Sequence, residues 1–321
     1  MQPKLTVGIP HLDRIEFLSE TIDKLIDQSV PCKILVADQG HTEATSELLD
    51  KYADNPLVVH KKTDATCLWE NWREAAETAM DAGAEYFAWC QDDDVVHHRY
   101  SERINMSFEA WPGVQTWLAR LAIAQHSKLA IWWKGPGPYV ASDLLNNVPT
   151  VIPGELLTPV SYFSSWALSP AAAFRCGQDF RDALDEVPTG CDLYTERTIL
   201  AAMGRKGQAS CDPIIMGYWR HHTQNVSYRQ NLHEQPDQQR TFLDWTDAMM
   251  DDMPNWREHL AEWAVSMPND MLMGFQHAMK DLDSRYVHAV KDVLSMAQKE
   301  ETLYEDLRRQ MNPEPESALV V

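Results

Sequence analysis

Residues 85–94 read EYFAWCQDDD, an apolar run that stops on one amide and three carboxylates. A short aromatic run bounded by polar residues reads as a buried strand. Gln91, Asp92, Asp93 and Asp94 then fall where that strand leaves its sheet. Three adjacent carboxylates repel one another unless water or a cation neutralises them. Hard oxygen ligands of this kind suit Mg2+ or Mn2+, which combine a few carboxylate oxygens with substrate phosphates. A solvated acidic loop capping the next helix is the alternative reading.

Toward the N terminus the strand pattern repeats. LTVGIP (5–10) is an apolar run closed by proline, and Ile15, Leu18, Ile22, Leu25 and Ile26 follow at helical spacing over 15–28. KILVAD (33–38) is a second strand ending on a carboxylate, and the polar turn QGHTEAT leads into a helix over 43–53. LVVH (57–60) reads as a third strand and residues 69–82 as a helix. Strand and helix alternating four times predict the α/β class, with a mostly parallel sheet and helices on both faces. Such sheets bind ligands outside the carboxyl ends of their strands. His11 and Asp13, Asp38 and Gln39, and Asp92 to Asp94 are therefore expected at one edge.

Beyond residue 97 the spacing predicts a helix over 98–110 and a strand over 114–123, then an aromatic stretch broken by Pro and Gly over 131–162. CDLYTERTILAAMGRKG (191–207) reads as a helix with Leu193, Arg197, Leu200 and Ala201 on one face and Gly204 as its stop. From about residue 236 the texture changes. Phe275, Met279, Leu282, Tyr286, Ala289, Val293 and Met296 alternate spacings of four and three, a helical seam. The chain thus divides into an α/β domain over 1–235 and a helical C-terminal extension over 236–321. The seam can pack on the first domain, pair two copies into a homo-oligomer, or dock a partner.

Lys and Arg number 28 against 48 Asp and Glu, a net charge of −20. That balance excludes nucleic acid and anionic membrane surfaces as partners. It also means that a phosphate-bearing ligand needs a cation between itself and the carboxylates. The six cysteines show no zinc spacing, the start MQPKLTVGIP has no apolar signal core, and no run spans a bilayer. The expectation is a cytoplasmic protein with reduced thiols.

LTVGIPHLDR, then KILVADQGHTEAT, then EYFAWCQDDDVVHHRY resembles the opening of a family 2 glycosyltransferase with the GT-A fold. SSWALSPAAAF (164–174), the 191–207 helix and GYWRHHTQNVS (217–227) resemble that family's acceptor-side strand, base-bearing helix and closing segment. The resemblance covers about residues 4–228. It implies an enzyme that moves a sugar, hexose-like, from a nucleotide diphosphate-sugar to a hydroxyl of a glycan or other acceptor, with inversion. Carried over by position, Asp38 matches the carboxylate that meets the nucleotide base, with Gln39 beside it, while Pro10, His11 and Asp13 lie in the first-strand turn. Asp92 matches the partner near ribose and phosphates. Asp93 matches the direct metal ligand, joined by Asp94 and His222. Asn71 and Arg73 fall near the diphosphate, Trp166 on the acceptor side, and Asp192 at the general base.

Each role has a plainer alternative. Arg73 can be an exposed helical arginine, Asp192 an N-cap, Trp166 a core residue, and His97 and His98 the solvent side of the next helix. Gln91, His11-Leu12-Asp13 and Cys191 depart from the family pattern, and Asp185 and Glu186 compete for the base role. Gln91 and Cys191 keep a non-catalytic nucleotide-sugar or glycan-binding protein as an alternative. A nucleotidyltransferase is disfavoured, because IPHLDR carries no glycine-rich phosphate loop after its strand.

Overall fold

The computed structural model describes residues 2–125, 128–134, 149–152, 154, 169–188 and 195–221, with Thr241, Asp244, Trp245 and Ala248 beyond them. The elements run β1 (Leu5–His11), α1 (Ile15–Ile26), β2 (Lys33–Asp38), α2 (Glu43–Asp50), β3 (Val58–Lys62), α3 (Leu68–Asp81), β4 (Tyr86–Trp89) and β5 (Val95–Val96). They continue with α4 (Tyr100–Ala110), β6 (Val114–Gln125), β7 (Lys128–Lys134), β8 (Thr150–Ile152), β9 (Ala172–Arg175), α5 (Gln178–Asp185), α6 (Thr195–Gly204) and β10 (Gln208–His221).

The strands form one mixed sheet in the order β3-β2-β1-β4-β9-β6-β10-β5, with β7 beside β6 and β8 beside β10. Its first half, β3-β2-β1-β4, is parallel throughout. This half is the expected α/β unit. β9 then enters antiparallel between β4 and β6, while β6 and β10 run parallel to each other. The sequence reading placed the first four strands and the helices between them, with ends shifted by a few residues. It missed β5, β7, β8, α5 and the full length of β10. The extension over 236–321 lies outside the described residues apart from the four named above.

Period-two alternation sorts the parallel strands onto two cores. Leu5, Val7 and Ile9 of β1 join Ile34 and Val36 of β2 and meet Leu18, Ile22 and Leu25 of α1 in one buried cluster. Tyr100, Ile104 and Phe108 of α4 extend it across to Trp117 of β6. Full burial of each such aliphatic side chain contributes about 1.5–3 kcal/mol. The opposite face is aromatic: Trp72 of α3 stacks on Trp89 of β4 at 5.2 Å between ring centroids, and Phe174 of β9 stacks on Phe180 of α5 at 5.0 Å. Gly8 lets α3 approach on this side, since a Cβ there would stand 2.7 Å from the Phe87 ring and 3.3 Å from Ala75. Helices therefore cover both faces.

One buried ion pair ties the halves together. Arg103 of α4 donates from Nε to Asp212 Oδ2 at 2.7 Å and from Nη2 to Oδ1 at 3.0 Å, closing a two-pronged contact with β10. Among the described residues no helix is long and apolar enough to cross a membrane.

Candidate active site

The carboxyl edge of the parallel strands assembles as topology requires. His11 at the end of β1 is the cross-strand partner of Asp38 at the end of β2. The backbone amide of Gln39 donates to the His11 carbonyl at 2.9 Å, which holds the turn after β2 against the end of β1. Gly40 continues that turn so closely that a Cβ would lie 1.7 Å from the Leu12 carbonyl oxygen.

Asp38 is fully buried, and both its oxygens are engaged. Oδ1 accepts from the His41 amide at 3.0 Å, and Oδ2 lies 3.1 Å from His60 Nε2 on β3. Asn71, buried at the start of α3, donates to the Ala37 carbonyl at 3.2 Å and accepts from Thr63 Oγ1 at 3.2 Å. It pins α3 to the end of β2. His41, His60 and Thr63 were not singled out in the sequence, and nothing local marks them, because their partners lie on other strands.

The acidic turn is not the solvated loop of the alternative reading. Asp92, Asp93 and Asp94 each have no solvent exposure. His11 Nδ1 lies 2.8 Å from Asp92 Oδ2, and its Nε2 lies 3.0 Å from Thr45 Oγ1 at the head of α2. Arg14, immediately before α1 begins at Ile15, is buried and reaches both of the first two aspartates. Its Nη1 donates to Asp93 Oδ2 at 2.5 Å, and its Nη2 pairs with Asp92 Oδ1. Thr21 of α1 donates to the backbone carbonyls of Asp92 and Asp94, at 3.1 and 2.8 Å, and so fixes the turn's path. Asp94 turns the other way: Ser169 Oγ donates to its Oδ2 at 3.3 Å and the Arg220 amide to its Oδ1 at 3.4 Å. Burial, and then the charge of Asp93, push the Asp94 carboxyl well above its ordinary range.

Not every expected residue joins this group. Asp13 is exposed on the same turn as Arg14, and Pro10 is buried in β1. Arg73 gives its guanidinium to Glu77 and Asp185 instead, at 2.8 and 2.5 Å. Glu186 pairs with Arg205 and Lys206, so both rival carboxylates for the base role sit in ion pairs. His98 leans on the Asp27 carbonyl, and His97 Nδ1 accepts from the Arg99 amide at 3.1 Å, just ahead of α4. Asp192, His222 and Trp166 lie outside the described residues. Among the described residues no group of three or more His, Cys, Asp or Glu side chains is arranged to hold a metal ion. The reason is visible in the turn: Asp92 and Asp93 face Arg14 while Asp94 faces Ser169 and β10. A separate cavity of about 350 Å³, lined by Lys4, Val30, Pro31, Glu102 and Met106 among others, opens at the start of β1. It lies at the amino end of the strands, opposite the acidic turn.

Comparison with known proteins agrees with this architecture. Residues 6–157 match the family model described as Glycosyl transferase family 2. No match was found among curated proteins. The fold is similar to that of S. aureus TarS 1–349 in complex with UDP, with a TM-score of 0.52 and 12% identity over 92% of this chain and 91% of that one. The same protein in complex with UDP-GlcNAc gives a TM-score of 0.50, 12% identity and 92% coverage of each chain. Against a longer TarS structure the TM-score is 0.51 at 12% identity, covering 92% of this chain and 55% of that one. At such identity the likeness speaks for the fold alone, and the family match spans the strands that build the acidic edge. The chain thus has an α/β fold similar to that of TarS, and its residues 6–157 match the Glycosyl transferase family 2 model.

Proposed function

We propose that the chain transfers a sugar from a nucleotide diphosphate-sugar, of the UDP-sugar kind, to an acceptor hydroxyl, with inversion and with a divalent cation, Mn2+ or Mg2+. The observation that carries this reading is the buried Asp92–Asp94 turn, linked through His11 to the strand end that neighbours Asp38. The TarS complexes with UDP and UDP-GlcNAc support the donor class.

The residues present fit a cation. Asp92 and Asp93 share the Arg14 guanidinium, and the buried Asp94 carboxyl adjoins them, so the turn offers hard oxygen donors of the kind a divalent cation takes. Asp93 and Asp94, with His222, would hold the ion. When bound it supplies positive charge for the departing diphosphate, which a protein of charge −20 otherwise repels. Asp38 orders the His41 and His60 edge on which the base rests, while Pro10, Asp13 and Gln39 border it. Asn71 keeps the head of α3 against that edge. Asp192 removes the acceptor hydroxyl proton as the oxygen attacks the anomeric carbon opposite the leaving diphosphate, whose C–O bond breaks with the electron pair. Trp166 offers an aromatic face to the acceptor. Residues 236–321 form a helical extension that packs on this domain or pairs two copies.

The test is turnover of UDP-GlcNAc with Mn2+, followed as UDP release with and without glycan acceptors. Wild type is expected to turn over, with Asp93→Asn and Asp192→Asn each at least about 100-fold slower. Wild type that binds UDP yet neither hydrolyses nor transfers would overturn the proposal.

A further inference from the structure

Arg14 occupies the middle of the acidic turn in a way that its sequence position does not explain. Its guanidinium is largely buried, and it bridges Asp92 and Asp93, which are 78 and 79 residues distant along the chain. A buried guanidinium is stable there only because it faces two carboxylates, and each carboxylate is stable partly because it faces the guanidinium. Asp92 has a second partner in His11. Asp93 Oδ2 accepts from Arg14 Nη1 at 2.5 Å.

We propose that Arg14 is a resident counter-cation that holds Asp93 in the donor-free protein and competes with the divalent ion for it. The inference rests on the reading above, in which Asp93 is a ligand of that ion. A cation reaching Asp93 must displace Arg14 from it, and Arg14 must then find another anion without leaving its buried position. Asp92 is one such partner, and the two negative charges of a nucleotide diphosphate are another. The bare ion therefore binds weakly, and binds well only when the diphosphate arrives to take up the guanidinium. Arg14 thus couples the cation to the donor and keeps the turn folded between turnovers. It acts on the site as a positioning residue.

The experiment is Mn2+ binding to the full chain without nucleotide, read by calorimetry and by the loss of the free Mn2+ paramagnetic signal. Arg14→Gln removes the competing charge and is expected to tighten Mn2+ binding at least about tenfold, since a full charge at contact distance is being removed. Arg14→Lys keeps the charge but cannot span both carboxylates, so it is expected to fall between the two. Arg14→Gln with Asp93→Asn should lose the gain. If Arg14→Gln does not fold alone, the Lys variant and the Mn2+-induced rise in its melting temperature carry the same comparison. Equal Mn2+ affinity in wild type, Arg14→Gln and Arg14→Lys, abolished in each by Asp93→Asn, would overturn the competition and leave the metal reading standing. No Mn2+ binding in any variant, with or without UDP, would overturn both.

Discussion

His11 Nδ1 stands 2.8 Å from Asp92 Oδ2 while its Nε2 stands 3.0 Å from Thr45 Oγ1, so one buried ring joins the ends of β1 and β4 to the head of α2. His11→Ala would leave Asp92 with Arg14 alone and Thr45 without the ring, at a cost of about 1–3 kcal/mol in urea denaturation. UDP binding should weaken with it. Unchanged stability would mean that the contact contributes nothing in solution.

Gly40 carries a sharper expectation. A Cβ there would meet a backbone oxygen, Leu12 O, at 1.7 Å, and backbone cannot swing aside as a side chain does. Gly40→Ala must spread the turns after β1 and β2, so UDP affinity should fall at least about tenfold, because a displacement of about 1 Å at a binding edge costs that much. Gly83→Ala makes the control. Gly83 has open space but a φ of +85°, so its cost is backbone strain of about 1–2 kcal/mol with UDP affinity kept. Equal UDP affinities for wild type and Gly40→Ala would contradict the account.

Much of this was legible in the sequence, for a physical reason. Each strand of the parallel half is a short apolar run followed by its own helix, so local periodicity names both, and topology then brings His11, Asp38 and Asp92–Asp94 together. What stayed hidden depends on distant partners. β9 is a four-residue strand wedged antiparallel between β4 and β6, and nothing within AAFR says which strands it joins. Arg14 lay in the quoted motif LTVGIPHLDR but drew no role, since its carboxylates are far along the chain. The three buried carboxylates were visible as a triplet, whereas their burial was not: it is set by α1, Ser169 and β10 closing over the turn.

The Arg103–Asp212 pair is a stability element, remote in role from the acidic turn. Arg103→Met removes the counter-charge of a fully buried carboxylate and is expected to cost about 3–5 kcal/mol, whereas the double variant Arg103→Met with Asp212→Leu should recover most of the loss. Urea denaturation of the three proteins checks it. A double variant as unstable as the single one would refute the claim.

The thiols set a pH expectation. Burial pushes Cys32, Cys176 and Cys211 from the ordinary 9.0 up to about 12, and raises Cys90 well above it with help from Asp94 and Asp93. A raised thiol pKa favours the folded state fully below pH 9 and loses that contribution as pH climbs through about 12. The denaturation midpoint should therefore fall between pH 9 and 11. At pH 8 a thiol reagent should leave buried Cys32, Cys90 and Cys211 unmodified until the protein unfolds, while half-buried Cys67 and Cys176 react before them. Rapid labelling of Cys32 or Cys211 in the native protein would count against the core as described.

The most direct measurement is calorimetric titration of UDP into wild type and Asp93→Asn, each with Mn2+ and with chelator. The buried acidic turn as the diphosphate and cation site requires UDP to bind wild type at least about tenfold more tightly with Mn2+, and requires Asp93→Asn to lose that gain. A UDP affinity that is the same in all four titrations would contradict it.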